Sequence, residues 1–363
     1  MPKFFVISSL VILLGLNSLC CLGGESDEQE VQLSEVITQP AASAGIETAT
    51  SMPQVEAPTA EPVPTVVPLP GISINDTRVF NVSETILVQN EGPGDARDIE
   101  FYIALPVTIS PFQARLTLDI DPPDYTLLSD KYMNQFAYIK VPGLKAGDKM
   151  EITVSTRVAV NGVTIDTGDC QGELPKHDTE AEEYLEVNAP EVQQLSRSLA
   201  QGKSDTCQIT RSIYDYIGSN MQYTGYNPGG LGALQALQLL SGDCTEYADL
   251  MIALARAADI PALYVTGVTC CTESGYVEAE NKHNWVMTYL PKAGWVPMDP
   301  TWGRNSADSD TYFAAMTPDH IILTRGRNLE TVNNYHYYYF HYYWDGTKAE
   351  LNAKATWSIL PAQ

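Results

Sequence analysis

The sequence is poor in positive charge. It contains 21 lysine and arginine residues against 45 aspartate and glutamate residues, so its formal net charge is −24 at pH 7. A surface of this sign repels the phosphate backbone of nucleic acids, and we therefore expect no nucleic-acid partner. An acidic balance of this kind is typical of a protein that stays soluble in a salty or acidic medium.

Several motifs of cofactor-binding proteins are also missing. The glycine-rich turn at 229–232 has no following Lys-Ser/Thr pair, which a phosphate-binding loop requires. The cysteines lack the paired spacing of a zinc site, and there is no Asp-rich calcium loop. His336 and His341 are five residues apart, so on one extended strand they point to opposite faces and cannot share a metal. We expect neither a metal nor another cofactor.

The amino-terminal 24 residues carry a single charge, at Lys3, and are otherwise rich in apolar residues. This pattern is typical of a secretory segment. Cys20 and Cys21 follow the apolar run and are candidates for lipidation, whereas an uncleaved membrane anchor and free secretion are the alternatives. We favour a lipid anchor, which predicts a location on the extracellular face of the cytoplasmic membrane, with Lys3 on the cytoplasmic side.

The rest of the chain changes character three times. Residues 25–70 are acidic and proline-rich without apolar periodicity, which predicts a disordered tether. Residues 71–160 alternate apolar and polar side chains between turn motifs, as in Ile99 to Leu105, and this favours a small immunoglobulin-like β-sandwich. An acidic connector at 161–190 follows, and residues 191–363 begin with two predicted helices.

The most distinctive chemistry begins at Cys244. Apolar residues recur from Tyr247 to Ala258 at helical spacing, which predicts a helix buried on one side. Asp243 is a suitable N-cap and Glu246 completes a capping box, so Cys244 is predicted to be the first helical residue. A thiolate there would face the positive end of the helix dipole and free backbone N–H groups. Nearby acidic residues oppose it, so a thiolate would need a cationic partner.

A histidine and an aspartate follow on a predicted hairpin. His283 begins an alternating strand, and a turn at 291–294 leads into a return strand that ends at Asp299. An antiparallel pairing of these strands would bring Asp299 back near His283, roughly diagonally across the hairpin. A cysteine, a histidine and an aspartate in this order are the nucleophile, general base and orienting group of a thiol-dependent acyl transfer.

At these residues the chain resembles the transglutaminase-like superfamily, which is related to papain-type cysteine proteases. The resemblance covers about residues 190 to 345 and rests on four segments, Gly242 to Ala248, Ala255 to Ala262, His283 to Val286 and Gly294 to Thr301. It implies an α+β fold in which a helix bears the cysteine and an antiparallel sheet bears the histidine and aspartate.

The resemblance also assigns roles. It implies that Cys244 is the nucleophile, His283 the general base and acid, and Asp299 the residue that orients His283. Tyr223 lies in a segment that often lines the cleft in this family, where it could assist an oxyanion, although a packing role is equally compatible with its sequence. Extracellular members often carry a sandwich before the core, so we interpret 71–160 as a spacer or substrate-presenting module.

Two further predictions concern the remaining cysteines and a loop. In an oxidising compartment, the even set of Cys170, Cys207, Cys270 and Cys271 predicts disulfides with three possible pairings. The loop from Thr269 to Lys282 is rich in glutamate. If it borders the cleft, Glu273, Glu278 and Glu280 would favour a cationic substrate or a lysine amine as acceptor.

These patterns together predict a cell-surface enzyme that acts on protein or peptide amides through a thioester intermediate. Water as acceptor would make it a peptidase or amidase, and a lysine amine would make it a cross-linking transglutaminase. We favour hydrolysis because a surface-anchored enzyme meets water in large excess. The competing interpretation is a non-enzymatic binding module that uses its sandwich and its aromatic carboxy-terminal strands.

Overall fold

Alternating apolar residues in the first described part of the chain form two antiparallel sheets. The structure, a computed structural model, describes residues 71–226, 230–270 and 282–362. The predictions for 1–24 and 25–70, including lipidation of Cys20 or Cys21, fall outside these residues, as does the glutamate-rich stretch of the loop before His283. Among the described residues, no helix is long and apolar enough to cross a membrane.

The described chain begins with six strands, and its four α-helices lie between β6 and β9. The strands are β1 (Ile72–Asn90), β2 (Ala96–Leu105), β3 (Gln113–Asp121), β4 (Tyr125–Ser129), β5 (Gln135–Leu144), β6 (Lys149–Ile165), β7 (Gln222–Tyr223), β8 (Ser241–Gly242), β9 (Ala262–Thr269), β10 (Lys282–Leu290), β11 (Gly294–Met298), β12 (Ala315–Met316), β13 (His320–Arg325), β14 (Tyr338–Trp344) and β15 (Leu351–Pro361). The helices are α1 (Pro190–Ala200), α2 (Thr206–Asn220), α3 (Gly232–Leu239) and α4 (Cys244–Arg256).

The two sheets of the amino-terminal part share one hydrophobic core. One sheet has the order β12-β6-β1-β15, with β3 also paired to β6, and the other has the order β14-β2-β5-β4. Ile86 and Ile152 from the first sheet pack in the same cluster as Phe101 and Ile139 from the second. Two sheets that bury their inner faces against each other form a sandwich. Its immunoglobulin-like character stays a prediction.

The carboxy-terminal strands complete this sandwich, which differs from the predicted division of the chain. We assigned all of 191–363 to the catalytic part, but β15 pairs with β1 and β14 pairs with β2. The physical reason is that β1 and β2 would otherwise expose a row of unpaired backbone groups at a sheet edge. Strand pairing between residues so far apart in sequence leaves no local signal, so the pattern of 338–361 predicted strands but not their partners.

A third sheet and four helices form the other half of the described chain. The sheet has the order β11-β10-β9-β13, and it packs with α1 to α4 around one hydrophobic core that contains Trp285, Tyr247 and Leu254. A separate apolar cluster joins this sheet to the sandwich, with Val268 and Ile321 from the sheet against Phe80 and Trp357 from the sandwich. The sandwich is therefore packed directly against the third sheet.

Helix α4 is more deeply buried than its sequence predicted. Every residue from Glu246 to Arg256 is buried, so the helix has no solvent face. It is surrounded by α1, α2 and α3 and by strands β9 and β10. The charged residues on the predicted outer face are instead neutralised inside the protein: Asp249 accepts a hydrogen bond of 2.8 Å from Arg327 Nε, and Arg256 Nη1 donates one of 2.6 Å to Glu182. The prediction of a one-sided helix was wrong for this reason.

Candidate active site

The site begins where α4 begins. Asp243 is the N-cap, and its carboxylate accepts a hydrogen bond of 2.7 Å from the backbone N–H of Thr245. Glu246 Oε2 in turn accepts a bond of 2.9 Å from the backbone N–H of Asp243, so both halves of the predicted capping box are present. Cys244 is the first residue of the helix, is not disulfide-bonded and is partly exposed. The dipole of a helix thirteen residues long therefore points its positive end at the thiol.

A close backbone approach fixes this helix start. A Cβ atom at Gly242 would lie 2.3 Å from Cβ of Glu246, so only glycine fits at this position. The other oxygen of Glu246 accepts a bond of 2.9 Å from the backbone N–H of Leu231. Burial raises the pKa of Glu246, and hydrogen bonds from Leu231 and Asp243 oppose that rise. Glu246 thus links the start of α4, where Cys244 lies, to Leu231 in the segment before α3.

The hairpin of β10 and β11 supplies the histidine and the aspartate. Val286 is opposite Met298 and Leu290 is opposite Gly294, which is the pairing that the sequence predicted without its register. Across the open end of this hairpin, Nε2 of His283 lies 2.6 Å from Oδ2 of Asp299. Because this bond occupies Nε2, Nδ1 is the ring nitrogen left for Cys244. The structure therefore brings the three predicted residues together.

The charge of Asp299 favours a protonated His283. Its side chain is 7% exposed, and burial alone would disfavour the imidazolium. The negative charge and hydrogen bond of Asp299, together with a contact to Cys244, outweigh that effect and raise the pKa of His283 to about 9. Burial alone would raise the pKa of the Asp299 carboxyl group. The charges and hydrogen bonds of His283 and His320 outweigh burial and hold this pKa well below its usual range.

The side chain of Asp299 is fully buried, and its two oxygens accept four hydrogen bonds. Oδ1 accepts bonds of 2.9 Å from the backbone N–H groups of Thr301 and Trp302. Oδ2 faces His283 and, at 3.4 Å, Nε2 of His320. His320 was not predicted to take part, because it lies 21 residues after Asp299 at the start of β13 with no motif around it. Only the tertiary pairing of β13 with β9 brings it to the site.

His283, Asp299 and His320 also form the one group of potential metal ligands among the described residues. The ligand atoms of His283, Asp299 and His320 lie within 4.8 Å of one another, and all three side chains are buried. Their facing atoms are already used in hydrogen bonds to each other. We interpret the group as a hydrogen-bonded network, and the expectation of no metal cofactor stays a prediction.

Aromatic rings enclose the two imidazoles. Trp302 stacks on His283 with ring centroids 5.1 Å apart, and Trp285 stacks on the same imidazole at 5.8 Å. Trp302 also meets His320 edge-on at 4.6 Å. These rings keep water away from the bonds to Asp299, which strengthens them. Trp285 lies two residues after His283 on β10 and so on the same strand face, whereas nothing in the sequence indicates that Trp302 would cover His283.

The predicted residue Tyr223 also lies at this site. Strand β7 pairs in parallel with β8 and sets Tyr223 opposite Gly242, two residues before Cys244. Its side chain is 42% exposed. Burial raises the pKa of Tyr223, and the negative charge of a Cys244 thiolate acts in the same direction. The guanidinium of Arg304 lies 5.0 Å above its ring, which places a cation at the same rim of the site.

Asn284, which follows His283 on β10, contacts the sulfur of Cys244. Its Nδ2 lies 3.6 Å from Sγ of Cys244 and 3.1 Å from Oγ1 of Thr245. Thr266 donates to its carbonyl oxygen at 3.0 Å and so fixes the orientation of the amide. The amide is thus positioned to donate to the sulfur, in addition to the backbone N–H groups of α4.

The disulfide predictions are tested in part. Cys170 and Cys207 form a disulfide with a Cα–Cα distance of 5.6 Å, which joins the connector to α2. Cys270 is disulfide-bonded too. Of the three pairings that the sequence left open, the two that separate Cys170 from Cys207 are excluded.

Comparison with known proteins finds a family match for part of the chain. Residues 193–300 match the model of the transglutaminase-like superfamily. This part of the chain is a transglutaminase-like domain. The protein YebA of Bacillus subtilis, which is uncharacterised, is 29% identical over 149 residues, and the match spans 34% of this chain and about a fifth of that relative's length.

One solved structure agrees at the level of the fold. A candidate cysteine protease from Cytophaga hutchinsonii is 15% identical, with a TM-score of 0.53 over 80% of this chain and 100% of that chain. The periplasmic domain of TgpA from Pseudomonas aeruginosa is 16% identical, with a TM-score of 0.32 over 69% of this chain and 100% of that chain. The likeness to the first structure extends beyond the transglutaminase-like domain into the sandwich.

Proposed function

We propose that this protein is a cysteine acyl hydrolase or transferase that acts on protein or peptide amides through a thioester on Cys244. The observation that carries the proposal is the bond of 2.6 Å between Nε2 of His283 and Oδ2 of Asp299, beside a free cysteine at the start of a helix. This is the arrangement that thiol-dependent acyl transfer requires. A transglutaminase-like domain at residues 193–300 supports it.

In the proposed reaction, Sγ of Cys244 attacks the carbonyl carbon of the amide and forms a tetrahedral intermediate. Backbone N–H groups at the start of α4 stabilise its oxyanion, and Tyr223 lies at the same rim. The carbon–nitrogen bond then breaks, and the imidazolium of His283 gives its proton to the departing amine. The neutral imidazole next takes a proton from the acceptor, water or an amine, which attacks the thioester and releases Cys244.

Hydrolysis is the outcome that we propose for the thioester, with transamidation as the alternative. The two can be separated by incubating the protein with a glutamine-rich, unstructured protein and a fluorescent primary amine. Mass spectrometry then distinguishes shortened or deamidated products from products that carry the amine. Cys244→Ala is the matched control, because it removes one sulfur atom at a partly exposed position. Product formed equally by wild type and Cys244→Ala would contradict the proposal.

We also propose that the protein acts outside the cytoplasm and is anchored to the membrane through its amino terminus. The disulfide between Cys170 and Cys207 supports this location, because such bonds persist in oxidising compartments. Fractionation of producing cells, followed by protease treatment of intact cells, tests the proposal. Protein that stays in the cytosolic fraction with both cysteines reduced would contradict it.

A further inference from the structure

Asp299 serves two imidazoles, and the proposed mechanism uses one of them. Oδ2 of Asp299 lies 2.6 Å from Nε2 of His283 and 3.4 Å from Nε2 of His320. The His320 side chain is fully buried, which is costly for a polar ring unless its nitrogens are bonded. Its role in the site therefore depends on what holds its second nitrogen.

The second nitrogen of His320 is held by its own chain segment. Nδ1 lies 2.8 Å from Oδ1 of Asp319 and 3.3 Å from Oγ1 of Thr317. A carboxylate on each side fixes the orientation of the ring. If the ring donates a hydrogen bond to each carboxylate, both of its nitrogens carry a proton. The side chain of Asp319 is 21% exposed, so the network reaches from the buried triad toward solvent.

The groups that face His320 come from every element packed against it. Asp299 and Trp302 approach from the segment after β11, and His283 and Trp285 approach from β10. Tyr312, which precedes β12, has its ring centre 6.0 Å from that of His320. The two carboxylates, Asp299 and Asp319, are the negative charges in this shell, and the imidazole of His283 is 5.9 Å away.

We propose that His320 is a positioning residue for the triad of Cys244, His283 and Asp299. Through His320 the triad becomes part of a longer chain of hydrogen bonds, which runs from Asp319 through His320, Asp299 and His283 to Cys244. This inference rests on the proposed function, in which His283 is the acid and base. His320 holds Oδ2 of Asp299 in place, and its positive charge competes with His283 for that oxygen. His320 therefore limits how strongly Asp299 retains the proton of His283, which the reaction must release.

The hydrogen bonds of His320 to two carboxylates agree with a charged ring. Burial opposes the imidazolium, but the bonds to Asp299 and Asp319 outweigh it and raise the pKa of His320 to about 9. Two imidazolium rings opposite one carboxylate repel each other, so removal of one charge favours protonation of the other. A His320 that only filled space would have no such effect on His283.

The test is proton titration of the histidines by NMR. The chain contains five histidines, so five imidazole C–H signals can be resolved and assigned by substitution. In His320→Gln, which keeps a donor but loses the charge, the titration midpoint of His283 should rise by about one pH unit. Asp319→Asn should lower the midpoint of His320 by a similar amount, and it serves if the His320 variants do not fold.

The matched control is His341→Gln, since His341 lies on β14 and contacts Glu100 at 3.3 Å, away from the triad. It should leave the midpoints of His283 and His320 unchanged. Alkylation of Cys244 gives a second readout: His320→Leu, which lacks a donor, should slow it about tenfold, and His320→Gln should restore most of the rate. Folded variants in which neither the midpoints nor the alkylation rate moves would overturn the inference.

Failure of this inference and failure of the proposed function are distinguishable. A reactive Cys244 with an unmoved His283 midpoint would overturn the positioning role of His320 alone. An inert Cys244 in the wild type, combined with a shifted His283 midpoint in His320→Gln, would support the coupling and overturn the proposed function.

Discussion

At the scale of single residues, the buried carboxylate of Asp299 organises the site. An ion in such a setting is costly unless its oxygens are bonded, and here two backbone N–H groups and two imidazoles satisfy them. Sequence motifs predicted Cys244, His283 and Asp299 because each lies in a distinctive local pattern. They could not predict His320, since its partner Asp299 is reached only through the folded sheet.

This network predicts how stability depends on pH. The pKa values of His283 and His320 are raised from 6.5 to about 9 in the folded protein. Between these pH values the folded state binds more protons than the unfolded state, so their contribution is complete below about pH 6.5 and is lost as pH rises to about 9. We expect the free energy of unfolding to fall by roughly 1–3 kcal/mol across this window.

Urea denaturation at pH 6, 7.5 and 9 measures this dependence. His320→Gln should give a shallower decline than the wild type. His341→Gln should give the same decline as the wild type, because His341 lies on β14 and contacts Glu100 instead of Asp299. Stability that rose between pH 6.5 and 9 would show that the two imidazoles are neutral in the folded protein.

At the scale of elements, the start of α4 determines where the thiol lies. The sequence predicted this helix start because Asp243 and Glu246 form a local capping signal. It could not predict that α4 is surrounded on all sides. Asp249 and Arg256 indicate a solvent-exposed polar face in the sequence, and only the folded structure shows that Arg327 and Glu182 pair with them. Local signals report on capping, whereas burial depends on what packs around the helix.

The close approach at Gly242 provides a test of this element. In Gly242→Ala the new methyl group would lie 2.3 Å from Cβ of Glu246, so the capping box must open or α4 must shift. We expect a loss of about 1–3 kcal/mol in the free energy of unfolding and slower alkylation of Cys244.

The control is Gly294→Ala at the hairpin turn, where no atom lies within 4 Å of the added methyl group. Its positive φ of 77° adds backbone strain without disturbing α4. It should therefore lower stability but leave the rate of Cys244 alkylation in the folded protein unchanged. An unchanged alkylation rate in Gly242→Ala would mean that the capping box does not set the thiol's position.

At the scale of the whole molecule, the described chain is closed by its last strands. Strand β15 pairs with β1 over eleven positions, from Phe80 opposite Pro361 to Asn90 opposite Leu351. The cluster that joins the sandwich to the third sheet includes Trp357 of β15. Composition and alternation predicted the sandwich strands and the catalytic core separately, but pairing across more than 250 residues has no local signature in one sequence.

We therefore expect the sandwich and the third sheet to unfold together. Trp357→Ala removes a large side chain that is 6% exposed at their junction, and it should cost about 3–5 kcal/mol. Thermal denaturation should then show one transition at a lower temperature, with Cys244 becoming fully reactive over the same range. Thr356→Ala, at the exposed neighbouring position, is the control and should change stability by less than about 0.5 kcal/mol. Two separate transitions in Trp357→Ala would show that the halves are independent.

We propose that Cys244 is a nucleophile paired with His283. The most direct measurement is the rate of alkylation of Cys244 by iodoacetamide from pH 5 to 10, followed by mass spectrometry of the wild type, His283→Ala and Cys244→Ala. We predict rapid modification near neutral pH at Cys244 alone. The rate should decrease at least about tenfold in His283→Ala, and no modification should occur in Cys244→Ala. Slow modification that is the same with and without His283 would contradict the account.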